Sequence, residues 1–161
     1  GTKTKSFTSA QTGAPVLSGS AGALIGVLDA VLVNGFGLQS VSTLVIAGGV
    51  ATATVASTPS AVVGSVILVA GATPTSLNGE QRVTAITANS ISFATAEANA
   101  TATGTITLKV ASAGGQSYRG TNLAAYKIIS VTGTGCILRV DDTGTTVARV
   151  RGYESMTDVN T

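Results

Sequence analysis

Residues Val62 to Ala94 read VVGSVILVAGATPTSLNGEQRVTAITANSISFA, and the fold is decided there. A β-branched run, Val66 to Val69, leads into a Gly/Pro/Asn-rich crossing at Ala72 to Gly79. Gln81 to Ile86 and Ser90 to Phe93 then alternate apolar with polar residues around Ala88-Asn89. Alternation with a period of two gives a strand one buried and one wet face, so the stretch predicts three short antiparallel strands joined by turns. Such strands build a small barrel or a sandwich.

The same reading extends outward on both sides. Candidate strands are Thr43 to Ile46, Val50 to Ala56, Ser65 to Val69, Gln81 to Ile86, Ser90 to Ala94 and Thr103 to Val110, with Gly48-Gly49 as a hairpin turn. Ala94 to Ala102 has no large apolar residue and is expected to be a loop. Ala111 to Gln116, ASAGGQ, is linker-like. Beyond it Tyr126 to Val131, Cys136 to Val140 and Thr146 to Tyr153 are strands, separated by the hairpin-type pieces Thr132 to Gly135 and Asp141 to Thr145.

One helix is expected, over Ala21 to Val33, where Leu24, Ile25, Leu28, Val31 and Leu32 fall at helical spacing. Ser20 is its N-cap and Asn34-Gly35 its stop. Gly22 and Gly26 lie one turn apart and permit close packing; a membrane dimer motif is the rival reading. The helix is too short to cross a bilayer, which needs about 20 apolar residues, and Asp29 interrupts it. Gly1 to Gly13 is a polar arm, ordered only if something holds it. Lys3 and Lys5 are followed by polar residues, not an apolar stretch, so no signal peptide is read. The fold expected is mainly β with one short helix. Its parts are an arm (1–13), a host unit of 14–42 plus 111–161, and an inserted small barrel of 43–110.

Composition narrows the chemistry. The chain has 161 residues, 44% of them hydrophobic, but only 10% charged, with a net charge of +2. Arg139, Arg149 and Arg151 are interleaved with Asp141, Asp142 and Glu154 instead of forming a basic run, which argues against nucleic acid as a partner. There is no histidine, which removes Ser-His-Asp and Cys-His machinery and most zinc sites. Cys136 is the single cysteine and is expected to be a buried small hydrophobe. Soluble monomers usually carry about 25–35% charged surface residues, so a surface this poor in charge predicts burial against copies of the chain or neighbouring subunits.

The remaining constellations each have a structural explanation. Asp142-Thr143-Gly144 spells the aspartic-protease triplet, but one copy would need a symmetric dimer to bring two carboxylates together, and a β-turn is the preferred reading. Asp141, Asp142, Glu154 and Asp158 could offer oxygen ligands to Ca²⁺, yet without EF-hand spacing they read as solvated turn carboxylates. Lys109 and Lys127 lie in apolar strands, where alternation sets them on the wet face. Asn99-Ala100-Thr101 matches a glycosylation sequon, a pattern common by chance. Gly19 to Gly22 and Thr132 to Gly135 lack the Lys-Ser/Thr of a phosphate loop. No catalytic residue, cofactor or metal is assigned.

Six segments carry a resemblance: TGAPVLSG (Thr12 to Gly19), LDAVLVNGFG (Leu28 to Gly37), LNGEQRV (Leu77 to Val83), GTNLAAYK (Gly120 to Lys127), LRVDDTGTT (Leu138 to Thr146) and GYESMTDV (Gly152 to Val159). In this order they resemble virion structural proteins of tailed bacteriophages, and LNGEQRV followed by TANSISF resembles the small β-barrel inserts of phage tail and baseplate proteins. The family's members continue beyond this point, whereas this chain stops at Thr161, as a short form or an N-terminal part. The resemblance implies a non-enzymatic particle component located in the virion, assembled in the bacterial cytoplasm. A capsid decoration or minor capsid protein, often a trimer, is expected first. A tail or baseplate protein, or a receptor- or glycan-binding module, is the alternative. Its partners would be copies of itself and the major capsid or tail proteins, with neither nucleic acid nor membrane.

Overall fold

The computed structural model describes residues 3–129 and 135–160. The separator Thr132 to Gly135 therefore falls largely outside the described residues, as do the first two residues of the arm. The chain forms two compact units, Gly1–Ala14 with Phe36–Ala111, and Pro15–Gly35 with Ser112–Thr161.

The first unit is a closed barrel. Its strands are β1 (Phe36–Ala47), β2 (Val50–Val55), β3 (Val66–Ala70), β4 (Gly79–Ile86), β5 (Ser90–Ala94), the two-residue β6 (Ala100–Thr101) and β7 (Thr107–Val110). All pairs are antiparallel in the order β2-β5-β4-β3-β7-β1, and β1 pairs back to β2, so six strands close on themselves and β6 lies beside β1. Closure leaves the barrel wall without a free edge. The alternation that predicted the strands also sorts their faces. In β2, Ala51, Ala53 and Val55 point inward while Thr52 and Thr54 point out, and Thr52 Oγ1 meets Ser92 Oγ across the ladder at 3.0 Å. Phe93, Leu44, Ile67, Ile91 and Leu77 fill the interior, each fully buried and each contributing about 1.5–3 kcal/mol.

β1 opens at Phe36, not at Thr43, so 36–42 belongs to the barrel. Register shifts between Phe36 and Gln39 and between Val41 and Thr43 interrupt the alternation there, which hides the strand from a period-two reading. Phe36 and Val41 nevertheless pack against the core. At the other end Thr103 to Val110 is shorter as a strand than expected. The chain at Gly71 and at Gly104 passes so close that a Cβ on Gly71 would stand 2.0 Å from the Thr105 carbonyl oxygen, and one on Gly104 would stand 2.1 Å from that of Gly71.

Residues 3–13 lie against their own barrel. Lys5 ion-pairs with Glu80, and the Lys3 ammonium donates to the Glu80 carbonyl. The Phe7 and Phe36 rings tilt together at 6.3 Å. Gln11 is buried and its amide donates to the Ser60 carbonyl at 3.2 Å.

The second unit packs a helix on a four-stranded antiparallel sheet, ordered β8 (Gly115–Gly120), β9 (Leu123–Ile128), β10 (Ile137–Asp141), β11 (Arg149–Tyr153). β8 replaces part of the expected linker. Gly and polar residues conceal it, but its ladder to β9 is complete from Gly115 opposite Ile128 to Gly120 opposite Leu123. The helix is regular only over α1 (Ala23–Leu28) and continues as wider π turns through Asp29–Asn34. Ile25 packs on Ala124, Tyr126 and Val140, flanked by Leu24, Leu28 and Leu32. On the opposite face Val159 packs on Ala125 and Ile137. Among the described residues no helix is long and apolar enough to cross a membrane.

Candidate functional site

The most polar buried position in the second unit is Asp142. It is 4% exposed, and its Oδ2 accepts the Ile25 N–H at 3.2 Å while its main-chain carbonyl accepts the Gly22 N–H at 2.9 Å. The first N–H groups of a helix have no partner within the helix, and a carboxylate there satisfies them and favours the positive end of the dipole. Asp142 thus caps α1 from a distant part of the chain. This corrects the expectation that Ser20 caps the helix: the residue at that position is Gly22, with φ +83° and no side chain to offer.

An open groove of about 540 Å³ lies beside Asp142, lined by Leu17, Ser20, Leu24, Thr145 and Val147 among others. Among the described residues Asp142 is the one carboxylate on its wall. The neighbouring Asp141 closes a turn, with Thr143 N–H at 3.3 Å and Thr143 Oγ1 at 2.7 Å from its Oδ1. The Thr143 hydroxyl first, then its amide, hold the Asp141 carboxyl below the usual carboxylate range. Among the described residues no three acidic or cysteine side chains gather as a metal site, so Asp141, Asp142, Glu154 and Asp158 do not converge.

A second polar cluster ties the π turns to the sheet. Asp29 ion-pairs with Arg119 of β8. The Tyr126 hydroxyl of β9 stands 2.8 Å from Asp29 Oδ1 and 3.1 Å from the Ile25 carbonyl, sharing its proton between them. Burial, then the bond to Asp29, push the Tyr126 phenol well above its ordinary value, and Asp29 likewise raises Arg119. The helical pattern had marked Asp29 only as an interruption. Its partners are separated from it in sequence by the whole barrel, so no local signal identified them.

Lys109 takes the outward position between the buried Leu108 and Val110, as alternation sets it, and both it and Lys127 are half-buried. Cys136 is exposed, contrary to its expected burial: it precedes β10, whose buried positions are Ile137 on the Val159 face and Val140 on the α1 face. The cysteine lies at an apolar groove of about 310 Å³ that Leu32, Tyr126, Ile128 and Leu138 also line.

Compared with protein-family models, with curated proteins and with solved structures, the chain matches none.

Proposed function

We propose that the chain is a non-enzymatic structural subunit of a tailed-bacteriophage particle, acting by assembly, and that it is a capsid decoration or minor capsid protein. The observation that carries this reading is apolar surface left in solvent on a chain with few charges. Val16 is 80% exposed, Leu38 69% and Leu17 65%. Charged residues make up 10% of the sequence, and within 36–111 they are only Glu80, Arg82, Glu97 and Lys109. Arg82 is already engaged by the carbonyls of Gly64 and Thr4. Exposed aliphatic side chains on a chain with so few charges suit burial against like subunits better than free solution.

The sequence resemblance gives the class of assembly, and the partners that follow are copies of the chain and the major capsid or tail proteins.

Mass spectrometry of particles purified from the phage or prophage that encodes the chain tests the reading. The chain is expected in many copies, and a cryo-EM map then separates head from tail by position. Its absence from purified particles, together with sedimentation as a soluble monomer at high concentration, overturns the reading.

A further inference from the structure

The four-stranded sheet gathers charges that the sequence keeps apart. Tyr118 pairs with Ala125, Ala125 with Arg139, and Arg139 with Arg151, so these four form one row across the face opposite α1. In the next row on that face Asp141 pairs with Arg149. Three arginines therefore share the β10–β11 end of one face. Like charges directly opposite in an antiparallel pair are destabilising, yet Arg139 and Arg151 stand in that relation. Neither forms an ion pair among the described residues. Arg139 donates its Nε to the Val159 carbonyl at 2.8 Å, whereas Arg149 and Arg151 are exposed. Asp141, directly opposite Arg149, accepts from Thr143 and its carboxylate also attracts Arg139 and Arg149, so this face sets three arginines against one acid.

The other face of the same strands is apolar and only partly covered. Val150 pairs with the buried Val140 but is itself 50% exposed, and Leu138 opposes Gly152, which has no side chain to shield it. α1 covers the middle of the sheet and leaves this end open. β11 is the last strand in the sheet order, so its outer main-chain groups are unpaired by the sheet.

We propose that β11 is a docking edge for an extended segment of another protein, one that alternates acidic with apolar side chains. A strand added outside β11 would bond to its free main-chain groups and place alternate residues on the two faces. On one face they meet Arg149 and Arg151, where acidic groups offset the surplus positive charge. On the other they meet Val150 and Gly152, where apolar groups extend the half-covered core. A second copy of β11 (RVRGY) carries no acidic residue to offer: antiparallel pairing centred on Val150 sets Arg149 against Arg151, and centred on Arg151 sets that arginine against itself. A nucleic-acid strand would use the arginines and leave the apolar face and the main-chain edge unsatisfied. The inference stands independently of the virion reading.

The test uses the full chain and a short synthetic peptide that alternates glutamate with valine. Saturable binding is expected by calorimetry, with slowed hydrogen exchange at β11 amides and weaker binding at high salt. Arg149→Glu with Arg151→Glu is expected to weaken binding by about tenfold or more, and Val150→Glu, which keeps the arginines, also weakens it. Four outcomes overturn the proposal: no binding of the alternating peptide to the parent chain; equal binding of a peptide of the same composition with its glutamates and valines in separate blocks; binding unchanged by salt and by the folded charge-reversal variant; or an oligothymidylate that binds through the same arginines while the peptide does not.

Discussion

The carboxylate of Asp142 lies 3.2 Å from the main-chain nitrogen of Ile25, although most of the chain separates the two residues in sequence. A single side chain therefore fixes where α1 begins. Asp142→Ala should lower unfolding free energy by about 1–2 kcal/mol in urea titrations, the range of lost caps. Asp142→Asn, which keeps an acceptor oxygen, should lose less. Equal stability of the alanine variant and the parent would show that the cap contributes nothing.

Gly71 and Gly104 cannot accept a side chain. Both hold positive φ, at +80° and +112°, and a methyl group on either would meet main-chain oxygen at about half a normal contact distance. Gly71→Ala and Gly104→Ala should each destabilise the chain by about 3 kcal/mol or more, combining backbone strain with overpacking. Gly26 lies in α1 with nothing within 4 Å of its would-be Cβ. Gly26→Ala should stabilise by about 0.5–1 kcal/mol, so thermal melts of the three variants should move in opposite directions.

Gln11 and Glu80 allow the arm's contacts to be ranked. Gln11 is 5% exposed and bonds to the Ser60 carbonyl, so Gln11→Ala leaves a buried acceptor short of a partner and should cost about 1–3 kcal/mol. Glu80 pairs with Lys5 at the surface, where such pairs contribute about 0.2–1 kcal/mol. Glu80→Gln should therefore cost less than Gln11→Ala in chemical denaturation, and the reverse order would show that the arm is held by charge.

Alkali should expose the Tyr126 cluster. The folded phenol titrates well above the unfolded one, so its contribution is fully present below the unfolded value of about 10 and is lost as pH rises from there through the folded value. Stability should fall above about pH 10 by up to about 1.4 kcal/mol per pH unit from this group. Tyr126→Phe should be less stable near neutrality, having lost the bonds to Asp29 and Ile25, but its stability curve should be flatter above pH 10. Parallel curves for the two proteins would refute the assignment.

The barrel was largely legible because Ala51 to Val55 and Ser90 to Phe93 alternate apolar with polar residues, and a period of two is a direct statement about which side chains share a face. The reading failed where another constraint broke that period. Register shifts masked Phe36 to Ser42, and glycine and polar residues masked β8, whose ladder depends on β9 and not on its own side chains. Asp142 was recognised as structural, but as a turn residue. Its role as a cap needs Ile25 to be brought alongside, which no spacing in the sequence encodes. The arginine face was missed for the same reason: Arg139 and Arg151 become neighbours only once the β10–β11 register is set.

Phe36, where the chain passes into the barrel, pairs with Val110, just before it leaves. On the other side of those crossings, the Ala113 N–H reaches the Val31 carbonyl at 2.7 Å and the Gly114 N–H reaches that of Leu32 at 3.1 Å. The barrel is thus a parenthesis, opened and closed at neighbouring points of the backbone. A short bridge could span those points, but excising the barrel would also strip residues 3–13 of the surface they pack on, so the arm and the barrel stand or fall together.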